Sequence, residues 1–569
     1  MAAKTGRFAL IEQLLADGLN VMFGNPGTVE QGFLDSLMDY PELKYILTLQ
    51  ESVAVGAADG MARATQKPVV VQLHSGVGLG NAIGMLYQAK RGHAPLVILN
   101  SDAGTMYDAM DAQMACDAVA IAAPVTKWSA RVTHPSSLLR MVRRAIKIAG
   151  TAPMGPVFLS LPMDVLDAVC EEAVVPTSMP DTRVAPQPAL IEQAAQILAA
   201  AQNPIIIMGD GISFSGADQE LTQVAELIGA EVWGANNSEM NMKATHPQYK
   251  GSLGHMFGEH SKGIISHADA VLICGTYVFP EVFPALEGMF AHTAKIIHID
   301  LNLYEISKNF PVALGLLGDP KTSLAALAVA IEKNASSGQM QAAKSRAGTM
   351  AQAYEKQLAD SLVADKAVRD QTPLHASRFM EELATQLPKD AYIFDEALTT
   401  SPELTRYLPP VLPGHFFQTR GGSLGVGIPG AIGIKLAHPD QEVWGFTGDG
   451  GSMYTIQALW TAAHHNIAAK FVICNNRSYK LLKLNIQQYW RERDLPEREF
   501  PSSFDLSQPE MDFAAMAKSM GVAGVRVSKP EEIGPAIKQA LAHNGPFLID
   551  LVISDDVPGH VVHVPDAGQ

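Results

Sequence analysis

The chain is 569 residues long, too long for one hydrophobic core, and three or so domains are expected. Its 42 Lys and Arg are outnumbered by 58 Asp and Glu, and a net charge of −16 argues against a nucleic-acid partner, which would need clustered basic residues. No uninterrupted apolar run reaches membrane-spanning length, and 47 glycines with 18% charged residues suit a compact α/β protein with much buried surface, as in an oligomer.

The opening stretch, MAAKTGRFALIEQLLADG, predicts an amphipathic helix ending at glycine rather than a signal peptide, because Glu12 and Asp17 interrupt any apolar core. Four widely spaced cysteines (Cys116, Cys170, Cys274 and Cys474) in apolar surroundings read as buried thiols of a reducing, cytoplasmic compartment.

In LTLQESVAVGAADGMARA, Glu51 stands where a strand-like stretch gives way to a helix. A glutamate there is ordinarily one favoured by the helix macrodipole; the alternative is a catalytic carboxylate. The strand PVVVQLHSG then delivers His74 to the sheet edge, where a histidine is a hydrogen-bonding structural residue or a proton carrier. The helix LGNAIGMLYQAKRG and the strand APLVILNSD follow. Gly76, Gly78 and Gly80, with Asp102 beyond, mimic a dinucleotide fingerprint, but counted from Gly78 the third glycine is missing.

A proline-rich linker at 174–189 leads to a middle block with its own strand signals, NPIIIMGDG, DAVLICG and AKIIHIDLN, consistent with another parallel sheet. Its GDGISFSG (209–216) is either a nucleotide loop or a helix-capping turn. A second linker begins near 334 and runs into a polar helical segment ending before Thr372-Pro373. The blocks are thus 1–180, 190–335 and 370–569.

The last block approaches through RGGSLGVGIPGAIG, where Leu424 is the bulky apolar residue among small ones, open to a core-packing explanation. Next comes TGDGGSMYTIQALWTAAHHNIAAKFVICNNRSYKLL. Strand, glycine-rich turn, helix and strand would set Asp449 and Asn476 at the carboxyl ends of neighbouring parallel strands, where open α/β sheets bind ligands. A carboxylate, an amide oxygen and a loop carbonyl suit an octahedral Mg²⁺ that also holds phosphate oxygens. A bare GDG is only a turn; the full GDG…NN span is specific. The first and last blocks share this rhythm, which generic βαβ alternation also produces.

The segments FGNPGTVE (23–30), LTLQES (47–52), LHSGVG (73–78), VTKWSA (125–130), GGSLGVGIPGAIG and GDG…NN, in this order over essentially the whole chain, resemble thiamine diphosphate (ThDP) enzymes, and among them the benzoylformate decarboxylase branch. The resemblance implies three α/β domains, each a mainly parallel sheet flanked by helices: pyrimidine-binding, central and diphosphate-binding. It implies a homotetramer built as a dimer of dimers, with Glu51 of one subunit facing Asp449 of another. Asp449, Asn476 and the Ser478 carbonyl would hold Mg²⁺; Gly450, Gly451, Ser452 and Tyr479 would line the diphosphate, with Thr399 and Thr400 nearby. Glu51 would activate the aminopyrimidine, the Gly422 carbonyl would accept from its amino group, and Leu424 would wedge between the cofactor rings. His74 and Thr28, where the family has serine, would serve proton transfer and the substrate carboxylate.

The implied reaction is loss of CO₂ from a small-molecule 2-oxo acid to give an aldehyde; a carboligase or C–C lyase, acetolactate synthase-like, is the alternative. A silent scaffold would have no chemical need for Glu51, Leu424, Asp449 and Asn476 together. Two departures stand out. GTYVFPEVFPALEG lacks the family's second histidine, with Glu281, expected on a surface loop, the nearby ionisable group. SYKLLKLNIQQYW replaces the aromatic-lined helix of a phenyl pocket; Leu481, Leu482 and Asn485 would reshape it, and Lys480 and Lys483 read as a solvated face. The tail's His560 and His563 would sit on a disordered terminus or a lid.

Overall fold

The computed structural model describes residues 4–557 and divides into two compact units, one of residues 1–179, 369–404 and 418–569 and one of residues 180–368 and 405–417. The short apolar runs and glycine-punctuated helical patterns fold into three six-stranded sheets flanked by helices.

The first sheet begins after helix α1 (Gly6–Ala16), which buries Ala9, Leu10, Ile11 and Leu14 and stops before Gly18 at φ +73°. Strands β1 (Val21–Gly24) and β2 (Lys44–Leu47) precede helix α2 (Glu51–Thr65), whose first turn is capped by the Gln50 side chain, an acceptor for Ser52 N and Val53 N. Strand β3 (Val69–His74), helix α3 (Ser75–Arg91) and strands β4 (Leu96–Asp102), β5 (Trp128–Arg131) and β6 (Val157–Pro162) complete it. The order is β2-β1-β3-β4-β6-β5 and every pairing is parallel. Helices on both faces bury Val69–Leu73 completely, which is why VVVQL is a continuous run and not an alternating one.

The second unit holds β7 (Pro204–Met208), β8 (Glu231–Gly234), β9 (Tyr249–Ser252), β10 (Ala270–Cys274), β11 (Lys295–Asp300) and β12 (Leu314–Leu317), parallel in the order β9-β8-β7-β10-β11-β12. Ile206, Leu272 and Ile297 pack into the core on one face, Ile205, Ile207 and Ile273 into that on the other. Within GDGISFSG, Asp210 accepts from Ser238 N and Oγ, Glu239 N and Asn241 Nδ2, so the loop's carboxylate is spent on tying two turns together. The segment expected to begin as a linker near 334 is helical from Ser337: α4 (Ser337–Ala367) starts at a Ser336–Gln339 capping box.

The third sheet consists of β13 (Tyr392–Glu396), β14 (Phe416–Gln418), β15 (Val443–Gly448), β16 (Lys470–Asn475), β17 (Ala523–Val527) and β18 (Phe547–Val552) in the order β14-β13-β15-β16-β18-β17. Helix α5 (Gly427–Ala437) flanks it, and helix α6 (Lys480–Glu492) follows β16. Helix α5 packs backbone to backbone against α2: a Cβ on Gly60 would come within 2.1 Å of the Gly430 carbonyl oxygen, and one on Gly433 within 1.8 Å of the Ala57 carbonyl oxygen.

Three surface expectations change. Cys116 is exposed while the other three thiols are buried; its sulfur lies over Gly76, where a Cβ would come within 2.4 Å of it. Glu281 is buried and hydrogen-bonded to Ser261 Oγ, since residues 281–283 lie against the 254–261 segment. Lys483 is only 13% exposed and donates to Asp555 at 2.7 Å, and burial lowers the Lys480 ammonium pKa, so these lysines are not a solvated face. His560 and His563 lie outside the described residues.

Candidate active site

The carboxyl ends of β1 and β3 carry a tight cluster of polar side chains. After β1 the Asn25–Glu30 loop folds back so that the buried Glu30 carboxylate accepts from Gly27 N and, at 3.1 Å, from Gln72 Nε2. Its other oxygen lies 3.0 Å from His74 Nδ1. Tyr45 donates to the Gln72 amide oxygen at 2.6 Å, which fixes the amide so that its NH₂ faces Glu30. Gly27 lies flat on the imidazole; a Cβ there would sit 2.3 Å from the ring. With Nδ1 engaged by a carboxylate, Nε2 is the nitrogen left to work on a substrate. Thr28, one residue beyond Gly27, is exposed.

Ser75 adopts φ +45° between β3 and α3, a sharp bend that leaves His74 at the strand's end while the helix turns away. Glu51, 5% exposed, accepts from Asn25 Nδ2 at 3.2 Å and Asn81 Nδ2 at 3.0 Å. A Cβ on Gly78 would meet Glu51 Oε1 at 2.9 Å and His74 Cβ at 3.3 Å, so the two ionisable side chains converge on one glycine of α3. Gly76, Gly78 and Gly80 lie inside α3 rather than in a loop before it, which removes the open phosphate turn of a dinucleotide site.

The corresponding ends of β15 and β16 carry the second cluster. Asp449 opens a single helical turn, Asp449–Ser452, and its carboxylate accepts from Gly450 N at 2.7 Å and Ser478 N at 3.3 Å. Asn476 Oδ1 accepts from the same Ser478 N at 2.9 Å, so the two side-chain oxygens converge. Burial pushes the Asp449 carboxyl up to about 6, against the lowering effect of the backbone N–H groups of Gly450, Arg477 and Ser478. A Cβ on Gly450 would strike the Tyr479 ring at 2.4 Å, whereas one on Gly448 would meet nothing within 4 Å. Ser452 donates back to the Asp449 carbonyl, and Thr400 is buried after β13, its hydroxyl beside the Cys474 thiol, with Thr399 half-buried next to it.

Before α5, Gly421, Gly422 and Gly425 take φ of +70°, +74° and +94°, forming a left-handed loop on which Leu424 is half-buried and Gly422 is exposed. The loop is docked on the first domain: Arg420 N donates to Gln88 Oε1 at 2.9 Å, and Arg63 donates to the Gln418 carbonyl at 3.0 Å.

The residues present fit a diphosphate held through a divalent cation. Asp449 is a buried carboxylate whose hydrogen-bond donors among the described residues are backbone N–H groups, Asn476 adds a neutral oxygen, and the glycine turn Gly448–Gly451 gives a large anion access to the peptide N–H groups. Glu51 and His74 are brought together with each other; Asp449, Asn476, Ser478, Gly450, Gly451, Ser452 and Tyr479 form a separate group within the chain. Glu30 was not foreseen. Its signal was the GTVE spacing, which lets a glutamate side chain reach back three residues to a turn N–H.

The two polar clusters mark candidate ligand sites, and comparison with known proteins identifies the family. Residues 4–121 match the N-terminal TPP binding domain of thiamine pyrophosphate enzymes, residues 191–327 their central domain and residues 399–551 their C-terminal TPP binding domain. The benzoylformate decarboxylase of Pseudomonas aeruginosa is 30% identical over 96% of this chain and 98% of its own length. A probable acetolactate synthase large subunit of Methanocaldococcus jannaschii is 29% identical over 99% and 94%. Among solved structures, benzoylformate decarboxylase from Polynucleobacter necessarius superposes with a TM-score of 0.82 at 25% identity, covering 97% of this chain and 99% of that one. The chain belongs to the thiamine diphosphate-dependent enzyme family, and the three-domain α/β fold expected from its sequence is the one observed. No helix among the described residues is long and apolar enough to cross a membrane.

Proposed function

We infer that this protein is a ThDP- and Mg²⁺-dependent non-oxidative decarboxylase that converts a 2-oxo acid to an aldehyde and CO₂. The observation that carries this reading is the Glu30–His74 pair beside Glu51. When bound, thiamine diphosphate supplies the electron sink for the carbon that loses CO₂. Asp449, Asn476 and the Ser478 carbonyl would hold Mg²⁺, with Gly450, Gly451, Ser452 and Tyr479 around the diphosphate and Thr399 and Thr400 close by. Leu424 and the Gly422 carbonyl would fix the ring end of the cofactor, and Glu51 would hold a proton at its aminopyrimidine. Ending in an aldehyde requires a proton delivered to the former carboxyl-bearing carbon. An imidazole tethered through Nδ1 by a buried carboxylate, with Nε2 free, is built for that delivery. Thr28, exposed on the same loop, would hydrogen-bond the substrate carboxylate.

The cluster containing Glu51 and the cluster containing Asp449 complete a site when two copies of the chain pair, in keeping with a homotetramer assembled as a dimer of dimers. Leu481, Leu482 and Asn485, on the first two turns of α6, would shape the acyl pocket. The match to acetolactate synthases supports a second reading, carboligation, in which an aldehyde or second oxo acid takes the place of the proton. CO₂ release from a panel of 2-oxo acids, benzoylformate included, with ThDP and Mg²⁺, tests the first reading. Aldehyde as the product supports it; CO₂ release that yields only coupled hydroxyketone or hydroxy-oxo-acid products would replace it with the second.

A further inference from the structure

Glu396, the last residue of β13, is 1% exposed and is absent from the set of side chains expected to touch cofactor or metal. Its carboxylate is fully occupied. Oε1 accepts from Gly425 N at 2.6 Å and Val426 N at 3.2 Å; Oε2 accepts from Gly427 N at 2.7 Å and Thr447 Oγ1 at 3.0 Å. The three N–H groups belong to the turn directly after Leu424, and Thr447 stands two residues before Asp449. One side chain therefore joins the two segments that cradle the two ends of the cofactor: the left-handed loop at its rings and the GDG turn at its diphosphate.

The position in the sheet has its own logic. β13 and β15 are neighbours in the order β14-β13-β15-β16-β18-β17, and the chain's direction of winding reverses between them, which is where open α/β sheets place their ligands. Burying a carboxylate with no cation beside it is expensive, and burial pushes this carboxyl up to about 7. Four donors of fixed geometry favour its charged form, because a neutral amide or acid would present hydrogens to N–H groups that need acceptors. Packing alone does not call for such a group.

We propose that Glu396 is a positioning residue that sets the relation between the Leu424 loop and the GDG turn, and so preorganises the cradle for thiamine diphosphate without touching it. The proposal rests on the assignment of these two segments as the cofactor site. A short ligand that occupies only the GDG turn does not sense that relation, whereas the whole cofactor does.

The test compares binding of ThDP and of inorganic diphosphate, both with Mg²⁺, to the full-length protein and to its Glu396→Gln and Glu396→Asp variants by titration calorimetry. Glu396→Gln is expected to weaken ThDP about tenfold or more while diphosphate stays within about twofold; Glu396→Asp, which keeps the charge on a shorter arm, falls between. Thr447→Val removes one of the four bonds and serves where the Gln variant fails to fold; it is expected to weaken ThDP about threefold with diphosphate unmoved. Equal losses for both ligands would mean a general fold defect and overturn the proposal, as would unchanged ThDP affinity. Failure of the unsubstituted protein to bind ThDP would overturn the cofactor assignment itself, and this proposal with it.

Discussion

The first and third sheets are wound alike and used differently. Numbered along its own chain segment, each has the strand order 2-1-3-4-6-5, and each carries polar residues at the ends of its first and third strands, joined by Glu51 after the second strand of the first sheet and by Asn476 after the fourth of the third. In the first sheet those ends carry the Asn25 amide and the Glu30–His74 carboxylate–imidazole pair; in the third they carry Glu396 and Asp449, carboxylates held by backbone N–H groups. The middle sheet, wound 3-2-1-4-5-6, spends its first-strand carboxylate, Asp210, on local turns. A shared topology thus supplies the location of a polar cluster, while the turn chemistry at the strand ends decides whether that cluster is built of paired side chains or of carboxylates tied to backbone N–H groups.

Substitutions on opposite halves should separate these roles. Asp449→Ala is expected to abolish saturable Mg²⁺-dependent ThDP binding, as would removing the metal with a chelator; retained cofactor affinity in calorimetry would dissolve the contrast. His74→Ala should lower turnover about a hundredfold or more while ThDP affinity stays near that of the parent. Glu51→Gln should slow hydrogen–deuterium exchange at the cofactor's reactive carbon by a similar factor, again with the cofactor bound; full exchange in that variant would return Glu51 to a helix-terminus role.

The seam between the halves can be broken on its own. Gly433→Ala forces a methyl toward the Ala57 carbonyl and should cost about 2 kcal/mol of stability, read as a lower denaturant midpoint. A smaller and sharper effect concerns pH. The Asp449 carboxyl of the cofactor-free protein is raised to about 6, so its proton is held more tightly in the fold than in the open chain. Cofactor-free stability gains from this group as pH falls through 6, whereas Mg²⁺ needs the ionised form. Metal-dependent ThDP affinity should therefore drop about tenfold per pH unit below 6, in the His74→Ala variant as in the parent. An affinity flat to pH 5 would remove Asp449 from the metal site.

Much of this was legible in the chain. Continuous apolar strands, the glycine turns and the GDG…NN span follow short-range rules, so the sheets and the residues at their ends could be placed from local pattern. Glu30 and Glu396 were not foreseen because their partners come from the fold: Gln72 and His74 lie some forty residues from Glu30, and Gly425 to Gly427 about thirty from Glu396. The exposure of Cys116 and the burial of Glu281 are tertiary in origin too. Neither loop carries a periodicity that would report which side faces solvent. The polar run after Ser336 misled by composition: Gln, Ala, Lys and Arg are good helix formers, and a capping box suffices to start a helix that buries little.

The glycine contact between α2 and α5 bears on how the molecule is made. Helix α2 is synthesised with the first sheet, yet the surface that covers Gly56, Ala57 and Gly60 is translated only after the whole middle domain has emerged. Throughout that interval the first domain presents a small-residue face with no side chains to shield its backbone, one that closes only when Pro429, Gly430 and Gly433 arrive. A fragment ending at the first linker would carry that bare face permanently, so expression of the isolated domain should yield a protein that self-associates, whereas the full chain sheds this liability as its last third folds.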